Sequence, residues 1–541
     1  MQRMSGGQAV IASLKSEGVE HVFGIVGTHN AALFDGAYAD PEIEVVTVRH
    51  EQGATLMATG YARASGKIAA CFVVPGPGVT NALTGMGMAY SESAPVLVIA
   101  GQNPASQLDH EGDYFHELPN SLSVAGSLCG FTHRVNSVAE IPRSIHKAMH
   151  AMRCRRPRPA YIEIPLNLQT EQAEVATFDR ENYPHANVDV ASLLKAVDML
   201  NSASRPFIFA GGGVATANAS MYLVELAELL GAPVVTSVYA RGVISDRHPL
   251  ALGDGWGRLN IYDELLEQAD LVLVVGSRLE NVSDFYLGSR MPKQMIQIDI
   301  DARVLGRRRQ IDVGLLGDAG VILSNLKEAL VETKHHSCWF DTHGFRQRKH
   351  LKLQERAAPI LDLILELRNS VPDNTIFVDD LTLVGYWMPI LMPTYQPRTL
   401  IHPGTFGTLG YALPAAIGAK LACPDQPVIA ISGDGGFLFT LQELSTAVAL
   451  KLDLIVLIFN DNAFGAIQTY QDQVHHGRRI GSDLMNPDFV KLGESFGANS
   501  IRVDLKSLSS TVRRTIDQGG VWLIEIELKI EGPAKRVPWM P

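Results

Sequence analysis

The stretch ISGDGGFLFT, residues 431–440, decides how the rest of the chain is read. It grows out of the apolar run Val428-Ile429-Ala430-Ile431, which predicts a buried strand, and a helix-like segment follows it. Glycines between a strand and a helix point to a phosphate site, because backbone N–H groups and a helix N-terminus attract anions. Yet the turn carries a carboxylate, Asp434, which repels phosphate. Asp461 offers a way out. Between the two acids lie one helical stretch, LQELSTAVAL, and one apolar strand, LIVLIF. A strand–helix–strand unit of a parallel sheet returns the chain to the same edge, so both acids fall at the carboxyl ends of neighbouring strands, where open α/β sheets bind ligands. Two carboxylates beside a phosphate loop make sense with a divalent cation between them, since magnesium takes one or two carboxylates plus phosphate oxygens. The plainer alternative is a tight GDG turn with Asp461 as a helix cap.

The same alternation of apolar strands and helical patterns runs through all 541 residues and predicts an α/β protein with parallel sheets flanked by helices. Three blocks emerge, the number expected at roughly 150–200 residues per domain. Residues 1–175 hold HVFGIV, EVVTVRH, AACFVV, PVLVIAG and AYIEIP; residues 186–335 hold PFIFAG, PVVTS, LVLVVG and QMIQIDI; residues 355–541 hold TIFVDD, VIAISG, LIVLIF and WLIEIE. Two polar stretches, EQAEVATFDRENYPHANVDV and TKHHSCWFDTHGFRQRKH, read as separators. The formal net charge of −11 argues against nucleic acid as a partner, and the basic cluster RCRRPRP (153–159) reads as a solvated surface loop. The five cysteines are scattered and form no CxxC, which argues against zinc and a disulfide framework and fits a reducing, cytoplasmic setting. The first twenty residues lack the apolar core of a signal peptide, and no run of about 18 apolar residues exists to span a membrane.

GDGG followed by NDN resembles the thiamine-diphosphate motif, a GDG turn followed after a helix and a strand by N[ND]. The resemblance extends through VRHEQGATLMATGYARASGK (48–67), VPGPGVTNALTGMGMAYSESAPVLVIAGQ (74–102), GTLGYALPAAIGAKLA (407–422) and NPDFVKLGESFGA (486–498). In this order the segments are similar to the superfamily of acetolactate synthases, benzaldehyde lyases and 2-oxo acid decarboxylases. The resemblance implies a pyrimidine-binding domain, a central Rossmann-like domain and a diphosphate-binding domain. It implies Asp434 and Asp461 as side-chain magnesium ligands, completed by the backbone carbonyl of Ala463. Gly433, Gly435, Gly436 and Asn462 are then expected against the diphosphate, with Thr382 near it. Glu51, in VRHEQGA, matches the family's glutamate, whose carboxyl hydrogen-bonds ring nitrogen N1′ so that the coenzyme's own 4′-amino group can deprotonate the thiazolium carbon. Taken alone, Glu51 is an acid at a helix N-terminus, a favourable placement. Gly407 and Leu409 fall where relatives contact the 4′-amino group, and Leu409 takes the place of the bulky apolar residue that bends the coenzyme. In this family each coenzyme bridges the first domain of one subunit and the third of another, which implies a homodimer or homotetramer with active sites at the subunit interface.

Four positions bear on the substrate. His29, in GTHN (27–30), stands where acetolactate synthases carry PGG and where benzaldehyde lyase and some decarboxylases carry histidine. Histidine as a residue type titrates near neutrality, which suits proton relay. His116, in DYFHEL (113–118), replaces the glutamine of relatives. Both are expected to be catalytic and to line the pocket; a structural loop histidine, or an outward-turned His116, is the bland alternative. Val282, in GSRLENVSDF, replaces the arginine that holds the substrate carboxylate in acetolactate synthases and so removes a bidentate anchor. Ala466, Ile467 and Tyr470 would complete a pocket for an apolar acyl group, and the tail RVPWMP resembles the acetolactate synthase ending. FAGGGVA (209–215) and IQIDIDA (296–302) resemble segments that hold FAD in acetolactate synthases and ADP in oxalyl-CoA decarboxylase. The expected reaction breaks or makes the carbon–carbon bond next to a carbonyl, on a 2-oxo acid or a 2-hydroxy ketone, with 2-oxo acid decarboxylation and carboligation leading. An acetolactate synthase catalytic subunit, an inert coenzyme-binding paralogue and a flavin or nicotinamide oxidoreductase are the alternatives.

Overall fold

The computed structural model describes residues 2–38, 40–108, 112–180, 188–254, 261–279, 290–330 and 337–528; Val282 and the tail 536–541 lie outside them. The first unit is a parallel sheet of β1 (His21–Gly24), β2 (Glu44–Thr47), β3 (Ala69–Val73), β4 (Val96–Gln102), β5 (Phe131–Arg134) and β6 (Ala160–Pro165), in the order β2-β1-β3-β4-β6-β5. Every residue of β3, β4 and β6 is buried, as in strands covered by helices on both faces. Two of those helices are α1 (Glu51–Ser65) and α2 (Pro77–Glu92), each following a strand of this sheet. An antiparallel ribbon of Gln2–Ser5 with Gln172–Val175 takes up the start of the first polar separator.

The middle unit is a parallel sheet of β7 (Pro206–Ala210), β8 (Val234–Thr236), β9 (Ala251–Asp254), β10 (Leu271–Val275), β11 (Gln294–Asp299) and β12 (Val313–Leu316). Its order, β9-β8-β7-β10-β11-β12, is that of dinucleotide-binding sheets. The helix Thr342–Asn369 leads out of it, so the second separator is helical from Thr342 onward.

The third unit holds β13 (Ile376–Asp379), β14 (Leu400–Ile401), β15 (Val428–Gly433), β16 (Leu454–Asn460), β17 (Asn499–Val503) and β18 (Val521–Glu527), all parallel. The order β14-β13-β15-β16-β18-β17 repeats that of the first sheet strand for strand. Its helices include α3 (Ala412–Ala422), the single turn α4 (Asp434–Phe437) and α5 (Gly465–Val474).

The first and third units share one apolar core, in which Met57, Ala58 and Tyr61 of α1 pack with Ala415, Ala416 and Ala419 of α3. The two helices meet backbone to backbone. A Cβ on Gly60 would overlap the Ala415 carbonyl oxygen, so this approach requires glycine. A buried polar lock accompanies it: Glu92 of α2 accepts from Arg63 Nη1 (2.5 Å) and from the Tyr411 hydroxyl (3.1 Å). No described helix is long and apolar enough to cross a membrane, and the five cysteines are unpaired.

Candidate active site

β15 and β16 run side by side in register, with Gly433 opposite Phe459. The residues after them are therefore neighbours, and Asp434 and Asp461 come together at the carboxyl edge of the sheet. Asp434 is only 2% exposed. Its Oδ2 accepts from the Ala463 backbone N (3.2 Å) and from Asn486 Nδ2 (2.6 Å). Asn486 Nδ2 also reaches Asn460 Oδ1 (3.0 Å), while its own Oδ1 is buried without a partner among the described residues. Burial pushes Asp434 above the usual carboxylate range. Asp461 is pushed up to about 7, first by burial and then by the charge of Asp434. A buried and a half-buried carboxylate that repel one another, beside an unpartnered amide oxygen, fit a hard divalent cation. No third His, Cys, Asp or Glu joins them among the described residues, which leaves the remaining positions to backbone oxygens and a phosphate ligand.

The glycine turn is braced from below. The Thr382 side chain lies against Gly433 and would stand 3.1 Å from a Cβ there. Asp380, fully buried and pushed up to about 6 by that burial, accepts from the backbone N of Leu381 (2.8 Å) and of Gly410 (2.9 Å). It also sits against Gly436, and so ties the loop carrying Gly407 and Leu409 to the glycine turn. Gly407 is exposed with φ 67°, and Leu409 is half-buried. Asn462 adopts φ 54°, a left-handed conformation that asparagine tolerates. On α5, Ile467 and Tyr470 are exposed one helical turn apart, whereas Ala466 packs against the core of the third unit.

A second group gathers in the first unit. Glu51 opens α1 directly after β2 and is buried; its Oε2 accepts from Asn81 Nδ2 (3.0 Å). His29 and His116 stack with ring centroids 5.2 Å apart. Burial lowers the His116 pKa and His29 lowers it further, against the opposing pull of Glu51. His116 has φ 61°, and its Nδ1 is buried without a partner among the described residues. The structure thus brings Glu51, His29 and His116 together, and separately brings Thr382, Gly407, Leu409, Gly433, Asp434, Gly435, Gly436, Asp461, Asn462 and Ala463 together. Among the described residues no hydrogen bond joins Glu51 or either histidine to the aspartate group.

Sequence reasoning missed Asn81, Asp380 and Asn486. All three lie inside the quoted motifs, where their polar character among apolar neighbours was the available signal. It also misread RCRRPRP. Arg153 pairs with buried Glu17 and donates to its carbonyl, and Arg155 and Arg156 line a cavity of about 710 Å³ between the units. Gly212, Gly213, Arg278, Asp299 and Asp318 line the same cavity from the middle unit. Arg153 is thus held by an acid and a carbonyl and Arg156 Nε donates to Ser93 Oγ (2.9 Å), whereas Arg155 is exposed, as a solvated loop requires.

Family comparisons agree with this division. Residues 4–124 match the thiamine pyrophosphate enzyme N-terminal TPP binding domain, 193–326 the central domain and 380–526 the C-terminal TPP binding domain. A probable 2-ketoarginine decarboxylase of Pseudomonas aeruginosa is 36% identical over 97% of this chain and 94% of its own length. A probable acetolactate synthase large subunit of Methanocaldococcus jannaschii is 30% identical over 99% and 94%. The acetolactate synthase isozyme 3 large subunit of Escherichia coli is 30% identical over 93% and 90%. With its three domains matched in order and its relatives aligned nearly end to end, the chain belongs to the thiamine pyrophosphate enzymes, as a lyase or transferase dependent on that coenzyme.

Proposed function

We propose that the enzyme decarboxylates a 2-oxo acid without oxidation and has carboligase capacity, making or cleaving 2-hydroxy ketones. The observation that carries this reading is the pair of imidazoles, His29 and His116, stacked beside Glu51. Thiamine diphosphate, when bound, supplies the carbon centre that takes up the electron pair of the broken bond. Glu51 would hold a proton at ring nitrogen N1′, and burial away from water favours that exchange. The two histidines would exchange protons with the substrate oxygens. Asp434, Asp461 and the Ala463 carbonyl would hold Mg2+, and Gly433, Gly435, Gly436 and Asn462 would bind the diphosphate, with Thr382 behind them. Gly407 and Leu409 would contact the aminopyrimidine, and Ile467 and Tyr470 would border the pocket with Ala466 behind. Because the glutamate and aspartate groups lie apart in one chain, a complete site takes a second copy, as a homodimer or homotetramer. The unpaired cysteines and the modest negative charge support a cytoplasmic enzyme.

The relatives favour a second reading as well: acetolactate synthase large subunits align over nearly the whole chain, and condensation of two 2-oxo acids needs the same groups. The cavity behind Gly212 and Gly213, in a sheet of dinucleotide-binding order, supports FAD or ADP as a further ligand.

The test is a panel of pyruvate, phenylpyruvate, 2-ketoarginine, acetoin and benzoin, supplied to purified protein with the coenzyme and Mg2+. The expected result is CO2 and aldehyde or acyloin from at least one 2-oxo acid. Glu51→Ala is expected to abolish turnover while Mg2+-dependent coenzyme binding persists. Acetolactate as the sole product from pyruvate selects the second reading. No turnover, with no change in the circular dichroism of the bound coenzyme, means an inert paralogue, and a yellow protein means FAD.

A further inference from the structure

Thr28, His29 and Asn103 stand in line. Thr28 Oγ lies 3.2 Å from His29 Nδ1, and His29 Nε2 lies 3.0 Å from Asn103 Oδ1. Thr28 is exposed, whereas His29 is 7% and Asn103 5% exposed. Only the hydroxyl end of the line is therefore open to solvent. The inner end is anchored. The Asn103 backbone N donates to Gln102 Oε1 (2.9 Å), Gln102 Nε2 donates to Ser121 Oγ (3.1 Å), and Ser121 Oγ donates to the buried carboxylate of Glu163. The His29 backbone is pinned too. Gln169 Nε2 donates to its carbonyl (2.8 Å), and a Cβ on Gly101 would overlap that same oxygen.

We propose that these three residues form a proton relay whose outer end is the Thr28 hydroxyl, with His29 as its base and Asn103 as the positioning residue that sets the ring's tautomer. The proposal rests on the reading that the substrate reacts in the Glu51 cleft. An amide oxygen only accepts, so Asn103 commits the neutral imidazole to carrying its proton on Nε2 and leaves the Nδ1 lone pair toward Thr28. A hydroxyl, a base and a third group that orients the base are the parts of an activated hydroxyl system. In cleavage of a 2-hydroxy ketone, the carbinol O–H bond breaks and its proton passes to Thr28 Oγ, while the oxygen's electron pair forms the aldehyde C=O and the C–C bond breaks with its pair left on the acyl carbon. The original Oγ–H bond breaks in turn, and that proton forms Nδ1–H. The ring becomes cationic, still donating Nε2–H to Asn103. In carboligation the reverse sequence protonates the acceptor's carbonyl oxygen. No electrons are gained or lost, so no oxidant or reductant is needed. The titratable groups facing His29 are His116, from the 113–118 segment, and Glu51 of α1 beyond it; Asn103 and Gln169 are uncharged. Burial and then His29 lower the His116 pKa, against the opposing pull of Glu51.

The experiment uses the holoenzyme with Thr28→Val, Thr28→Ser, Asn103→Asp and, as control, Glu51→Gln. Nitrogen-15 histidine NMR without substrate, with the His29 signal assigned by its loss in His29→Gln, reads the tautomer directly. Nε2–H is expected in the wild type, and Nδ1–H overturns the relay. Cleavage of acetoin and decarboxylation of pyruvate are then followed against pH. Thr28→Val is expected to lower kcat about 100-fold with KM changed less than about threefold, and Thr28→Ser to restore it. In Asn103→Asp the new carboxylate favours the cationic ring, so the acidic limb of the profile moves up by about one pH unit. A Thr28→Val enzyme with wild-type kcat and profile overturns the relay while leaving the site intact. Full turnover by Glu51→Gln overturns the site reading and the relay with it. If neither compound is turned over, the tautomer decides alone.

Discussion

Asn486 shows what a single side chain does at the cation cup. Its amide nitrogen touches Asp434 Oδ2, Asn460 Oδ1 and Asn462 Oδ1 (3.3 Å), so one group orients residues from two segments, the glycine turn and the stretch after β16. Groups behind metal ligands hold the ligand oxygens at the right angle, and their loss typically weakens the metal about 10–100-fold. Asn486→Ala is therefore expected to raise the Mg2+ concentration needed for half-maximal coenzyme binding by about that factor, read from fluorescence quenching as Mg2+ is titrated. An unchanged midpoint would show that Asp434 needs no such support.

At the scale of elements, α1, which opens with Glu51, is held by the unit that carries the glycine turn. Glu443, fully buried after α4, accepts the Arg49 backbone N at 3.1 Å and the Thr446 hydroxyl at 2.8 Å. It lies against Gly53, and so closes the N-terminus of α1 beside Glu51. Burial pushes this carboxyl up from its ordinary 4.5 to about 6. The folded chain then binds more protons than the unfolded chain between those values. The Glu443 contribution is therefore lost as pH rises from 4.5 to 6, by about 1–2 kcal/mol. Glu443→Gln is expected to flatten the fall in thermal midpoint across this window. A slope equal to the wild type's would place the titrating group elsewhere.

For the whole molecule, no hydrogen bond among the described residues joins Glu51 to the aspartate pair, and several apolar side chains are exposed. Met485 is 100%, Ile480 83%, Phe115 71% and Ile467 51% exposed, and these belong to the two units that carry the coenzyme groups. Exposed apolar side chains of this size are candidates for contact with another protein surface, which the proposed shared site would supply. If the proposed site is shared between two copies, activity is expected to fall on dilution in step with loss of the oligomer, followed by sedimentation velocity and turnover at the same concentrations. A fully active monomer would contradict an interfacial site.

The sequence by itself determined the interior of each sheet, the glycine–acid turn and the strand-end glutamate. Interior strands are apolar on both faces, and a turn between strand and helix is fixed by residues adjacent in the chain. The strands β5, β9, β12, β14 and β17 escaped notice, and each is an edge strand. An edge keeps one side toward solvent, so FTHR or NSIRV lacks the apolar run that marks a buried strand. Only the tertiary structure decided that the first and third sheets share one order, and that Asn486, 52 residues on, braces Asp434. The same holds for Thr28, His29 and Asn103, where the partner of the ring lies 74 residues away. Hydrogen bonds of that kind are set by which strand ends the sheets bring side by side, and no local pattern in the chain encodes them.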